Sequence, residues 1–170
     1  RSLDSLVSTV AAEPGGARQS RIIKAIDRAR LPDSAFSTET VFMLSLSAMD
    51  GRNLTAAEKF LAMARRKSDF DSVIAKQRFQ YVRGLLSFYE KKYDEAIPQL
   101  TAYAGGQGDD PDVILVLARA FWSIDSAAQA ARWYDRFIER YPRSKSVPEI
   151  IWRRAWVEEE RTRARTNTDP

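Results

Sequence analysis

The sequence predicts an all-α fold, a row of antiparallel helix pairs in the manner of an α-solenoid, and three observations carry that prediction. Apolar residues recur at helical spacing nearly everywhere, and the period-two alternation of strands is absent. The gaps between periodic segments are short and rich in Gly, Pro, Asp and Ser, which makes neighbouring helices antiparallel. Sliding the sequence on itself by 34 residues superimposes Gly84 on Ala118, Ala96 on Ala130, Leu100 on Tyr134 and Gly108 on Pro142. An offset of that size in a helical chain marks a stacked structural repeat.

The periodic segments place helices at about 3–12, 18–30, 38–50, 54–67, 70–91, 93–104, 111–124, 126–140 and 147–163, with EPGGA, LPDS, DG, GGQGDDP and YPRSKS between them. In ARQSRIIKAIDRAR, Arg18, Arg21 and Arg28 lie toward one side and Ile22, Ile23 and Ile26 toward the other. Asp27 interrupts the charge and no aromatic fills the apolar side, so this reads as a solvated helix rather than a membrane-binding one. In DVILVLARAFWSI, Val113, Leu117 and Phe121 step by four beside Ile114, Ala118 and Trp122, a wide apolar stripe. Residues 1–35 are assigned to N-terminal helices, a degenerate repeat or a cap. Residues 36–165 form the repeat domain with a C-terminal capping helix, and 166–170 a fraying tail.

The stretch AYAGGQGDDPDV has the glycines and acids of a ligand loop but the wrong order of them. Calcium asks for alternating oxygen ligands and a closing glutamate, whereas Asp109, Asp110 and Asp112 have Pro111 among them. Phosphate asks for a basic residue after the glycines. The segment reads instead as a flexible joint: Gly105 or Gly106 in the left-handed conformation ends one helix, and Asp110 caps the next with Pro111 at its first position.

Composition narrows the chemistry. The chain has 170 residues, 44% of them hydrophobic, enough to build a core. It has no Cys and no His, so disulfides, thiolate nucleophiles, imidazole bases and the common zinc ligands are all excluded. The net charge of +4 comes from 27 basic and 23 acidic residues interleaved along the chain, without the basic stripe that nucleic acid requires. The longest apolar run, VILVLA, is far short of the roughly 20 residues that span a bilayer. A start at Arg1 without a basic and apolar leader reads as a processed or excised chain.

The repeat carries a family resemblance. GLLSFYEKKYDEAIPQL resembles the tetratricopeptide repeat in its small residue, aromatic pair, polar turn and Tyr-Asp-Glu-Ala-Ile run, here Gly84, Phe88, Tyr89, Tyr93, Asp94, Glu95, Ala96 and Ile97. The next unit supplies Leu117, Ala118, Phe121, Ala130, Tyr134 and Pro142 at matching places. Small residues there let two helices cross closely. The upstream unit, LSLSAMDGRNLTAAEKFLAMA, fits loosely, with Ser45 at the small position and a step of 39 from Ala57 to Ala96. RYPRS followed by a helix with Ala155 at the small position is similar to repeats of bacterial cell-envelope proteins: outer-membrane assembly lipoproteins, periplasmic coordinators and the helical arms of lytic transglycosylases.

That resemblance implies a right-handed superhelix, a protein or peptide partner in its concave groove, no cofactor, and a periplasmic or envelope location, the alternative being cytoplasmic. Carried over, the groove takes Phe42, Met49, Arg78, Tyr81, Leu85, Phe88, Leu115, Arg119, Trp122, Trp152, Arg153 and Trp156. Phe88 and Trp122 read more as core, packed against the neighbouring helix pair, than as open groove. Trp152 and Trp156, four apart on one helical face, either cap the end of the core or form an exposed aromatic platform. Tyr81, Leu85 and Val116 stand where the carboxylate clamp of chaperone-binding members has its Lys and Asn, which argues against that ligand. Glu158, Glu159 and Glu160 read as salt-bridged surface rather than a catalytic pair, because adjacent helical residues diverge. No nucleophile elbow or phosphate-binding loop is present, and the expected function is a non-catalytic scaffold without metal or catalytic residues. Two alternatives remain: the accessory arm of a peptidoglycan-cleaving enzyme, and self-association through the terminal helices.

Overall fold

The computed structural model describes Ile23, Lys24, Ile26, residues 31–107 and residues 110–166, in two compact units, Arg1–Glu90 and Lys91–Pro170. The described residues form helices and turns without strands: α1 (Thr38–Asp50), α2 (Leu54–Ala64), α3 (Val73–Tyr89), α4 (Tyr93–Gln107), α5 (Pro111–Ser123), α6 (Ala127–Arg140) and α7 (Val147–Thr166). The expected helix at 3–12, most of that at 18–30, and Arg18, Arg21, Ile22 and Arg28 lie outside the described residues. Ile23, Lys24 and Ile26 are helical, with Ile23 buried and Lys24 exposed.

In the first unit α1, α2 and α3 each begin on a side-chain cap that satisfies an otherwise orphaned backbone donor. Ser37 accepts from the Thr40 N–H, Asn53 from that of Ala56 and Ser72 from that of Ala75. α1 and α2 cross at Ser45, which is fully buried and donates its hydroxyl to the Ala57 carbonyl at 2.9 Å. The residue that looked like the weak match of its repeat is therefore small enough for the crossing and adds a hydrogen bond across it. α3 packs on both α1 and α2. Val41, Phe42, Leu44, Phe60, Leu61, Val82 and Leu86 are among the buried side chains of this unit.

The step of 39 has a local cause. α2 ends at Ala64 and α3 starts at Val73, so residues 65–72 form a connection where two almost contiguous helices were expected. This segment is tied back to the residues before α1 and to the first residue of that helix. Arg66 pairs with Asp33 at 2.6 Å, Lys67 Nζ donates to the carbonyls of Asp33 and Phe36, and the Thr38 hydroxyl donates to Asp69. Phe70 meets Phe79 edge-on at 5.3 Å, and the Arg65 guanidinium lies over Phe79. The extra residues act as a strap.

In the second unit α4 packs on α5, α5 on α6 and α6 on α7. Asp110 caps α5 through the Asp112 and Val113 N–H groups, with Pro111 first in the helix, as its sequence requires. The glycines before it behave differently from expectation: α4 runs through Gly105 and Gly106 to Gln107, so neither ends the helix in a left-handed turn. Burial of Leu100 and Ala104 holds that last stretch against the glycine penalty of about 1 kcal/mol per residue. Gly108 and Asp109 lie outside the described residues. Ala118 and Ala130 are fully buried in a cluster with Ile114, Ala131, Tyr134, Phe137, Ile150 and Val157. α7 extends to Thr166 rather than 163, so the tail expected to fray from 166 is helical at its first residue.

The repeat register is written into the turns. Arg52, Lys91 and Asp125 all have positive φ, 56°, 62° and 57°, and each stands five residues before Ala57, Ala96 or Ala130. At two of them the helix closes in a full Schellman motif. Asn53 donates to the Ala48 carbonyl and Arg52 to that of Met49; Ser126 donates to that of Phe121 and Asp125 to that of Trp122. The steps of 39 and 34 recur in the backbone.

Candidate partner-binding site

α7 faces α6 with Ile150 and Val157 buried and with Arg154 held by Asp135 at 3.0 Å. The Asp135 carboxylate, through its hydrogen bond and its charge, raises the Arg154 pKa further above its ordinary value, so the guanidinium stays charged. That registration fixes what the rest of α7 presents. Trp152 and Trp156, on its other side, are 65% and 44% exposed. Their rings are parallel to within 5°, with centroids 6.5 Å apart. Trp122 of α5, partly buried against the core cluster, reaches Trp156 at 4.8 Å, tilted by 52°. The three indoles make one aromatic strip across α5 and α7, so the platform describes Trp152 and Trp156 better than the end of a core.

Two cations stand beside the strip. Arg153 binds Glu149, its Nε and Nη2 both within 2.9 Å of one carboxylate oxygen. Arg119 is exposed one turn before Trp122. Both bear on the buried Tyr134 phenol: burial pushes its pKa up, the charges of Arg153 and then Arg119 pull it back, and Glu149 adds to the rise. Trp122, Trp152, Trp156, Arg119 and Arg153 are thus brought together in the second unit. Leu115 is partly buried against its core.

The candidates in the first unit divide. Arg78 is exposed and paired with Glu39, Tyr81 is half-buried, and Phe88 is half-buried with its ring edge-on to Tyr89. Leu85, Phe42 and Met49 are buried, with exposures of 9%, 1% and 3%, and belong to the core rather than to an open face. Helical spacing could not separate these faces, because the apolar stripe is wide and α3 packs on two helices.

Some features escaped the sequence reading. Val73 and Ile74 in the first turn of α3, and Ile151 on α7, are exposed. Ile151 and Ala155 repeat the spacing of Ile114 and Ala118 on α5, but on α7 both positions are open. The pairing of Glu149 with Arg153 was readable from their spacing of four. The glutamate run is bridged as its spacing suggested, Glu158 to Arg161, and Glu159 and Glu160 to Arg163. Among the described residues no cluster of carboxylates is arranged to hold a metal ion, and no helix is long and apolar enough to cross a membrane.

Helix pairs crossing at small residues, with a recurrent left-handed turn between them, define a protein of the TPR-like helical solenoid class. No family model matches the chain, and no curated protein matches it in sequence. Solved structures do match in fold. The chain is similar to MamA AMB-1, with a TM-score of 0.67 and 18% identity over 94% of this chain and 86% of that one. It is similar to MamA MSR-1 at 0.68 and 18%, over 94% and 84%. A second MamA AMB-1 structure gives 0.66 and 19%, over 97% and 83%. At these identities the likeness concerns the fold.

Proposed function

We propose that this chain is a non-catalytic protein-interaction scaffold that holds a segment of a protein partner against Trp122, Trp152 and Trp156, within a bacterial envelope assembly. The exposure of Trp152 and Trp156 in a continuous strip with Trp122 carries the proposal. Indoles offer large contact area at low conformational cost, and contiguous exposed aromatics are a recurrent mark of a binding surface. Arg119 and Arg153 orient the segment by pairing with its carboxylates. Arg78 and Tyr81 on α3 provide a further contact area in the first unit. A chain without His or Cys has few means of catalysis, which favours recognition as the activity. The envelope placement rests on the resemblance of RYPRS and the helix after it.

Affinity capture from an extract of the source cells tests the reading, with wild type beside Trp156→Ala, Arg119→Ala and, as control, Trp133→Phe. Captured protein is lost from the first two variants and kept by the control. Retention of every captured protein by Trp156→Ala contradicts the proposal.

A further inference from the structure

We infer that α7 is the first helix of a pair whose second helix comes from a partner protein, and that Ile151 and Ala155 seat that helix, an amphipathic one with alanine at its crossing point. This surface is additional to the tryptophan strip. At about 3.6 residues per turn, Ile151 and Ala155 lie about a quarter-turn around α7 from Trp152 and Trp156.

The repeat shows what is missing. Setting Ala155 on Ala118 sets Ile150 on Val113, Ile151 on Ile114 and Val157 on Ala120. Burial agrees with that register on one side of the two helices and departs from it on the other. Val113 and Ala120 are buried on α5, and so are Ile150 and Val157 on α7. Ile114 and Ala118 are also buried, in one cluster with Ala130 and Tyr134 of α6, the second helix of their pair. Their counterparts on α7 are open, Ile151 with 51% of its surface exposed and Ala155 exposed as well. The interface that α5 makes with α6 is continued, one repeat on, as a half that no described residue completes.

That half-interface also defines its occupant. A small residue beside a branched one lets a second helix approach closely, as Ser45 admits Ala57 in the first unit and Ala118 lies buried with Ala130 in the second. The helix that fits α7 has alanine at the crossing and an aromatic residue four positions on, in the manner of Ala130 and Tyr134. A second copy of this chain has none free among its described helices, because Ala57, Ala96 and Ala130, the crossing alanines of α2, α4 and α6, are each fully buried in their own chain. Glu158, bridged to Arg161, stands where α5 has Phe121, so one end of the contact is polar, as at the rim of an interface between separate proteins.

The probe is a blocked, fluorescein-labelled peptide with the sequence of residues 125–142, which carries the α6 stripe, titrated into the full chain and read by anisotropy. The expected result is saturable binding, weakened about tenfold or more by overfilling either side of the crossing, with Ala130→Leu in the peptide or Ala155→Leu in the chain. Ala155 is exposed, so thermal melting of Ala155→Leu matches wild type. Because the chain has no Cys, Ala155→Cys supplies a unique thiol, and its alkylation slows when the peptide is added. No saturable binding up to about 1 mM overturns the inference, as does equal binding by Ala155→Leu, the result expected if the peptide merely exchanges with the chain's own α6. Self-association that Ala155→Leu abolishes assigns the face to a second copy. A thiol already shielded in the Ala155→Cys chain purified alone from its source cells assigns it to a segment of the same chain, and either result overturns the partner helix. Capture that depends on Trp156 is read separately and stands or falls without regard to these outcomes.

Discussion

The indole of Trp156 on α7 lies 4.8 Å from that of Trp122 on α5, and only Trp122 is also packed against the core cluster. Stability and binding therefore separate along the strip. Trp122→Ala removes partly buried surface and an aromatic pair, and lowers unfolding free energy by about 2 kcal/mol. Trp152→Ala, at a position 65% exposed, changes it by less than about 0.5 kcal/mol. Urea denaturation of the two variants checks the contrast. A cost at Trp152 equal to that at Trp122 would show Trp152 to be structural.

The left-handed turn residues are strained relative to glycine. Arg52 sits at φ 56° after α1, where a side chain costs about 1 kcal/mol or more. Arg52→Gly raises stability by about 0.5 kcal/mol, once the greater freedom of glycine in the unfolded chain is subtracted. Asp125→Val, which puts a β-branched side chain at φ 57°, lowers it by more than about 1 kcal/mol. Thermal melts of both variants test the pair of opposite signs.

The strap of the first unit depends on Lys67, whose ammonium bridges the carbonyls of Asp33 and Phe36. Lys67→Met keeps the apolar stem and removes the donors, at a cost of about 1–2 kcal/mol. Hydrogen exchange read by mass spectrometry is the sensitive probe, because segments 33–38 and 65–72 lose protection together while α6 keeps its own. Unchanged exchange in both segments contradicts the strap.

Asp50 gives a pH signature. It ends α1, where a negative charge opposes the helix dipole, and although the residue is exposed overall, partial desolvation of its carboxyl raises the pKa above the ordinary value. An acid whose folded pKa is raised binds its proton more tightly in the folded state. The penalty is therefore fully present at neutral pH and disappears as the pH falls below the unfolded carboxyl value of about 3.9. Asp50→Asn stabilises by a few tenths of a kcal/mol, about 0.3, at pH 7 and by nothing near pH 3. A gain that persists at pH 3 assigns the effect to something other than charge.

Periodicity and the 34-residue offset made the helices and their pairing legible, because small crossing residues and turn chemistry are local properties that recur with the repeat. Asp110 with Pro111 announced its helix start, and the helix obeys it. The glycines after Ala104 misled, since tertiary burial of Leu100 and Ala104 outweighs local propensity. Ser45 looked like an imperfection, but its bond to the Ala57 carbonyl depends on a partner twelve residues away that no local pattern displays. The candidate site was half legible. Spacing put Trp152 and Trp156 on one face, while their exposure and the approach of Trp122 follow from how Ile150, Arg154 and Val157 seat α7 on α6. Phe42 and Leu85 share the residue types of a groove but are buried.

The four tryptophans allow the most direct test of the proposed binding face. Trp122, Trp152 and Trp156 form the strip, while Trp133 lies on α6 beneath the Arg136 guanidinium, 5.0 Å from its ring centre. Indole N–H resonances in a nitrogen-15 spectrum, assigned with single Trp→Phe variants, are followed as a captured partner is added. Binding on the strip shifts the signals of Trp152, Trp156 and Trp122 and leaves Trp133 in place. A shift at Trp133 with the other three unmoved contradicts it.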